Sequence, residues 1–261
     1  MSVFNAGNPV MREQLFGDGT WAAQSSRAST MTVNGAVTAS LILTAICGAG
    51  AVASYGFIQH NLEALMPMFF GSMIGGLVLC LVMSFKPASA PYVGIPYAAV
   101  EGVFVGAVSL VYAKQFAGTK IGGATGELIL LNAGLLTIGT LAAMLTLYRL
   151  RIIQATEKFK AVMLCAIGGV CLFSLVVMVA RLFGVSMPWL WDGGPISILI
   201  SVAILLVAAF KLILDFDLIE SGSRAGLPKY MEWFAGVGLL ITLVWLYLEF
   251  LRLLAILNRR D

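Results

Sequence analysis

Seven long apolar runs constrain this chain more than any other feature. A bilayer core about 30 Å thick is crossed by a helix of about 20 mostly apolar residues. Runs of that length lie at 31–58, 62–85, 91–113, 124–150, 160–184, 195–219 and 231–257. The links between them are short and carry helix breakers: Lys86-Pro87, the glycine-rich stretch at 118–123, Pro188, Pro195 and the segment 222–228. Of the 261 residues 60% are hydrophobic and only 11% charged, against about 25% charged in a soluble domain. The fold expected is an all-α membrane protein, a single seven-transmembrane-helix bundle in a lipid bilayer. A polar, mobile tail over residues 1–30 and a short basic tail over 258–261 flank it. The opening residues lack an apolar core of signal-peptide length, so no cleaved signal is expected.

Basic residues in the flanks set the orientation of such a bundle. With the amino terminus inside, the inner set is Arg12, Arg27, Lys86, Arg149, Arg151, Lys158, Lys160, Arg224 and Lys229. The outer set is Lys114, Lys120, Arg181, Arg259 and Arg260. The larger inner set predicts a cytoplasmic amino terminus and an outside carboxyl terminus. A net charge of +3 spread over short loops fits topology control and not nucleic-acid binding.

Several site chemistries are disfavoured. Cys47, Cys80, Cys165 and Cys171 all lie in apolar runs without metal-ligand spacing, as small hydrophobes do. His60 is the sole histidine, which argues against a histidine metal site or a Ser-His-Asp triad. No His-Glu-x-x-His motif is present. The last run has no lysine for a retinal Schiff base. The chain is therefore expected to be no enzyme and to need no cofactor.

Charged residues inside the runs are the better guide, because each costs several kcal/mol in hydrocarbon and such groups mark ion paths, proton relays or buried pairs. Lys211 and Asp215 stand one helical turn apart and can neutralise each other. Asp217 is turned about 200° from Asp215, so it needs a different partner. Glu101 lies mid-run and is either protonated or turned to a polar interior. Glu127, Arg181 and Glu232 lie near helix ends, where snorkelling to interfacial water suffices. Glu232 also starts the seventh run on the face where Asp215, Asp217 and Glu220 finish the sixth, a placement that can gather one acidic cluster at the cytosolic mouth. Glu249 and Arg252, three apart, are expected to pair near the opposite face. Gly102 and Gly106 have small-xxx-small spacing, which suits close helix packing within the bundle or a dimer seam.

The order of motifs resembles the Bax inhibitor (transmembrane BAX inhibitor motif) family, in particular its bacterial YccA-like branch. The residues that carry the likeness are Met31-Thr32-Val33-Asn34-Gly35, Gly71-Ser72-Met73-Ile74-Gly75-Gly76, Ser84-Phe85-Lys86-Pro87 and Arg149-Leu150-Arg151-Ile152-Ile153. The most specific come later: Leu214-Asp215-Phe216-Asp217-Leu218-Ile219-Glu220, then Pro228-Lys229-Tyr230-Met231-Glu232-Trp233 and Leu243-Val244-Trp245-Leu246-Tyr247-Leu248-Glu249. The resemblance implies a seven-helix fold with the last helix central. It also implies a pH-sensitive calcium leak, or association with membrane proteases in bacteria, and so an inner (plasma) membrane location. The family's pH sensor is a pair of aspartates on the sixth and seventh helices. Asp215 matches the first; the second falls near Thr242, which cannot ionise. The family's basic partner from the second helix has no counterpart before Lys86, and Lys211 stands in for it. Asp217, Glu232 or Glu101 would then have to supply a second carboxylate.

Two functions are expected from these readings. In one, cations, calcium foremost, pass through a gate at Asp215, Lys211 and Asp217, with Glu101, Glu232 and Thr242 as further candidates for the second acid or the ion path and Asp215 with Asp217 as calcium ligands. In the other, the chain carries no ion and modulates a membrane protease or other membrane complex, its polar amino-terminal tail serving as a recognition segment.

Overall fold

Each of the seven runs forms a helix. In hydrocarbon every backbone N–H and C=O must find a partner within the protein, and a helix meets that demand inside one segment. The structure, a computed structural model, describes residues 30–115, 126–185, 187–190 and 192–258. Within them α1 is Val33–His60, α2 Leu65–Phe85, α3 Ala90–Gln115, α4 Gly126–Arg149, α5 Glu157–Leu182, α6 Pro195–Arg224 and α7 Met231–Asn258. Single 3-10 turns at Leu62–Ala64, Pro87–Ser89 and Pro188–Leu190 precede α2, α3 and α6. All seven helices are long and apolar enough to cross a membrane. The tails expected at 1–30 and 258–261 lie, except for Thr30 and Asn258, outside the described residues, as does Lys120.

Local chemistry sets the helix ends. Thr32 caps α1 by accepting the Gly35 N–H at 3.0 Å, and Thr156 caps α5 by accepting that of Phe159 at 3.2 Å. Pro195 opens α6 at a position where its missing N–H costs nothing. The sixth helix runs five residues past the apolar stretch at 195–219. Its last turn is polar and is held by the pair Glu220–Arg224, one turn apart. Helices α4, α5 and α6 end alike, with N–H groups of 152, 185 and 227 reaching back to carbonyls of 147, 180 and 222 at 3.0, 3.0 and 3.1 Å. This closure needs one left-handed residue, which is Gly184 after α5, Gly226 after α6 and Arg151 after α4.

The last helix is the centre of the bundle. In the most apolar stretch of α7 56% is buried against protein, compared with 6% in α5. Leu239, Leu243, Leu246 and Phe250 pack with Ile129 and Ala133 of α4 and with Ala208, Leu212 and Phe216 of α6. Val237, Leu240 and Val244 pack on Leu43 and Cys47 of α1 and on Tyr97 and Val105 of α3. So α1, α3, α4 and α6 surround α7, while α2 packs chiefly on α3 and α5 on α6.

Gly102 and Gly106 make the α1–α3 crossing. A Cβ on Gly106 would stand 3.0 Å from the Tyr55 nitrogen and press on Ser54 Oγ and the Ala51 carbonyl. One on Gly102 would collide with the Cys47 carbonyl. The small pair therefore lets two backbones meet inside the bundle. Gly168 and Gly169 of α5, by contrast, face open space.

Candidate functional site

The starts of α1, α5 and α7 and the ends of α4 and α6 share one face of the bundle, since Thr32 meets Glu232, Tyr148 meets Glu220 and Lys160 meets Asp217. From this face the α6–α7 seam leads inward to Asp215, about 14 Å from the end of α6. Asp215 is buried, with 6% of its surface exposed. Its position one turn beyond Lys211 lets the ammonium reach Oδ1 within the same helix. Across the seam the Thr242 hydroxyl donates to Oδ2 at 2.6 Å. Lys211 Nζ also lies 3.4 Å from Thr242 Oγ1, and the Gly238 carbonyl 3.2 Å from the same atom.

The three side chains form a closed triad: one carboxylate, one ammonium, one hydroxyl. Both carboxylate oxygens are engaged, so desolvation is offset in part by a charge and by a charge-assisted hydrogen bond. Lys211 and Asp215 belong to one helix; Thr242 makes the contacts of the triad that cross between α6 and α7, its bond to Asp215 being the shorter. Proton binding to Asp215 removes the charge that this bond and the ammonium both depend on. A proton on Asp215 thus weakens a contact between α6 and α7.

The other acids are held elsewhere. Asp217 points to α5, where Lys160 Nζ lies 3.0 Å from Oδ2 and also 3.1 Å from Glu157 Oε1. Glu220 accepts from the Tyr148 hydroxyl of α4 and from Arg224. Glu232 is buried at the start of α7, where Oε1 accepts both the backbone N–H and the hydroxyl of Thr32 at 2.9 Å. It lies at the amino-terminal ends of α1 and α7, where helix dipoles favour an acid. Gly35 leaves the room that this carboxylate fills, since a Cβ there would overlap it. The incoming chain is pinned at the same place, with the Met31 N–H donating to the Leu227 carbonyl at 2.6 Å. Glu101 packs toward α2, where a Cβ on Gly76 would stand 3.4 Å from Oε2. Glu249 and Arg252 face each other at 3.8 Å, toward the far end of α7.

Of the residues singled out in the sequence, the structure brings together Asp215, Lys211 and Thr242. It directs Asp217 to α5, Glu232 to α1 and Glu101 to α2, so among the described residues these acids do not gather into one cluster at the mouth. Calcium takes six to eight oxygen ligands. Asp215 and Asp217 do not converge on one ion, and among the described residues no group of three His, Cys, Asp or Glu side chains is placed to hold a metal. The sequence alone does not mark Lys160, Tyr148 and Thr32 as partners of these acids. The polar ends of α4, α5 and α1 carry them, but which acid each meets is decided only by packing between helices.

A family model described as Bax inhibitor 1 like matches residues 8–259. The chain belongs to this Bax inhibitor 1 like family. No curated protein and no solved structure matches it. Family membership and the seven apolar helices make it an integral membrane protein, with lipid bilayer as its environment. Within that family the site described here pairs the sixth-helix carboxylate with a hydroxyl on the last helix.

Proposed function

We propose that this protein is a pH-responsive cation leak whose gate is the Asp215–Lys211–Thr242 triad, calcium being the ion the family likeness points to. The observation that carries the reading is the Thr242 hydrogen bond to buried Asp215 across the α6–α7 seam. Below the pKa of Asp215 the carboxyl is neutral, the ion pair with Lys211 is gone, and the Thr242 bond falls to neutral strength. A charge-assisted bond contributes about 1.5–3 kcal/mol and a neutral one about 1 kcal/mol, so acidification loosens the seam and raises flux. In this reading calcium is cargo and not a resident ligand, no cofactor takes part and no reaction is catalysed. The amino terminus is cytoplasmic, the carboxyl terminus outside, and the membrane a bacterial inner membrane.

Purified protein in vesicles loaded with a calcium-sensitive dye tests conduction. Calcium entering faster than in protein-free vesicles supports the leak; rates equal to protein-free vesicles overturn it.

A second reading, a non-conducting modulator of a membrane protease or similar complex, is favoured by the absence of a second carboxylate beside Asp215 among the described residues. It expects specific membrane proteins to co-purify with the full chain and to be lost when residues 1–29 are deleted. Retention of the same partners by the deleted chain removes the recognition role of the tail.

A further inference from the structure

The turn between α4 and α5 carries an arginine where the other two helix ends of its kind carry glycine. Arg151 has φ 55°, the one positive φ outside glycine among the described residues. It occupies the place that Gly184 and Gly226 hold in otherwise matching closures. A side chain in this left-handed conformation is strained, and glycine relieves the strain. An arginine at such a site directs attention to what its guanidinium can bind.

The surroundings indicate that use. Arg149, Arg151 and Lys158 are all exposed. The acids nearby are already paired, Glu157 and Asp217 with Lys160 and Glu220 with Arg224. Among the described residues neither arginine nor Lys158 has an ion-pair partner. Between and beside the arginines stand Leu150 and Ile152, 65% and 64% exposed. The 24-residue helix before them is about 36 Å long, enough to cross the bilayer core and bring the turn to headgroup depth. Apolar side chains at that level sit among acyl chains while basic ones meet phosphate.

We propose that the turn Arg149–Ile152, with Lys158, is a binding site for the headgroup of an anionic phospholipid. Arg151 is its central ligand, held at the tip of the turn by its left-handed backbone. Leu150 and Ile152 seat the turn in the acyl boundary. The site is independent of the cation gate and does not depend on conduction.

The full chain in a neutral detergent, titrated with phosphatidylglycerol or phosphatidylcholine, tests this by thermal unfolding and by native mass spectrometry of bound lipid. Wild type is expected to gain more stability from phosphatidylglycerol and to retain it in the mass spectrum. Arg151→Gly is expected to start from a higher melting temperature, because its backbone is relaxed, yet to bind phosphatidylglycerol roughly fivefold more weakly. Arg149→Gln/Arg151→Gln lowers binding further. Wild type with no preference between the two lipids overturns the proposal, as does Arg151→Gly with undiminished preference. Equal stabilisation by inorganic phosphate, or by an acidic peptide, also overturns it, since a lipid headgroup is then not what the turn recognises.

Discussion

A threonine hydroxyl facing a carboxylate makes an unequal pair, because only the carboxylate changes charge on binding a proton. Thr242 therefore reports the state of Asp215 without competing for the proton. Thr242→Val removes the donor at 2.6 Å and leaves Oδ2 of a buried carboxylate unsatisfied. The expected loss is about 1–3 kcal/mol, read as a lower thermal unfolding midpoint, with Thr242→Ser close to wild type. Thr242→Asp restores an acid at the position where the family likeness expects one. Two carboxylates so placed titrate as a coupled pair, so its flux is expected to change with pH over a broader range than wild type. The Lys211–Asp215 contact was legible in the sequence because one-turn spacing is a local property. The donor role of Thr242 was not, since a hydroxyl in an apolar helix gives no sign of what it faces across a seam. Nor could the sequence tell that Lys160 and Thr32 would draw away Asp217 and Glu232.

Helices in this bundle are held by two unlike devices, and substitutions at glycine separate them. At the α1–α3 crossing Gly106→Ala drives a methyl group into backbone atoms of α1. Such overpacking is expected to cost about 1–3 kcal/mol. In α5, where Gly168 has nothing near it, Gly168→Ala is expected to be neutral or to gain about 0.5–1 kcal/mol from higher helix propensity. Unfolding in mild detergent compares the two directly. Small-residue spacing in the sequence identified the tight crossing but not the helix it would meet. The adjacent glycines of α5, Gly168 and Gly169, have no neighbour within 4 Å of an added Cβ. The sixth helix outran its apolar stretch for a local reason: a Glu220–Arg224 pair and a glycine closure at Gly226 extend a helix whose composition has already turned polar. On the gate face the starts of α1 and α7 are joined both by polar contacts, with Glu232 binding Thr32, and by the apolar cluster of Met31, Ala36, Ile219 and Ala235.

For the molecule as a whole, the seven crossings were legible because hydrocarbon selects on length and apolarity alone. The centrality of α7 was carried by family likeness, since all seven runs are similarly apolar and only packing ranks them. The proposed orientation, with the gate face cytoplasmic, rests on the basic residues gathered there. A cysteine replacing Lys158 is expected to react with an impermeant maleimide only from the cytoplasmic side, and one replacing Asp192 only from outside. The reverse pattern inverts the bundle and puts the gate on the external face. The most direct test is calcium flux into proteoliposomes recorded from pH 8 to pH 5 for wild type and Asp215→Asn. Wild-type flux that climbs as the medium is acidified, with Asp215→Asn flux constant across the range, is the expected result. A pH response that survives the substitution unchanged contradicts it.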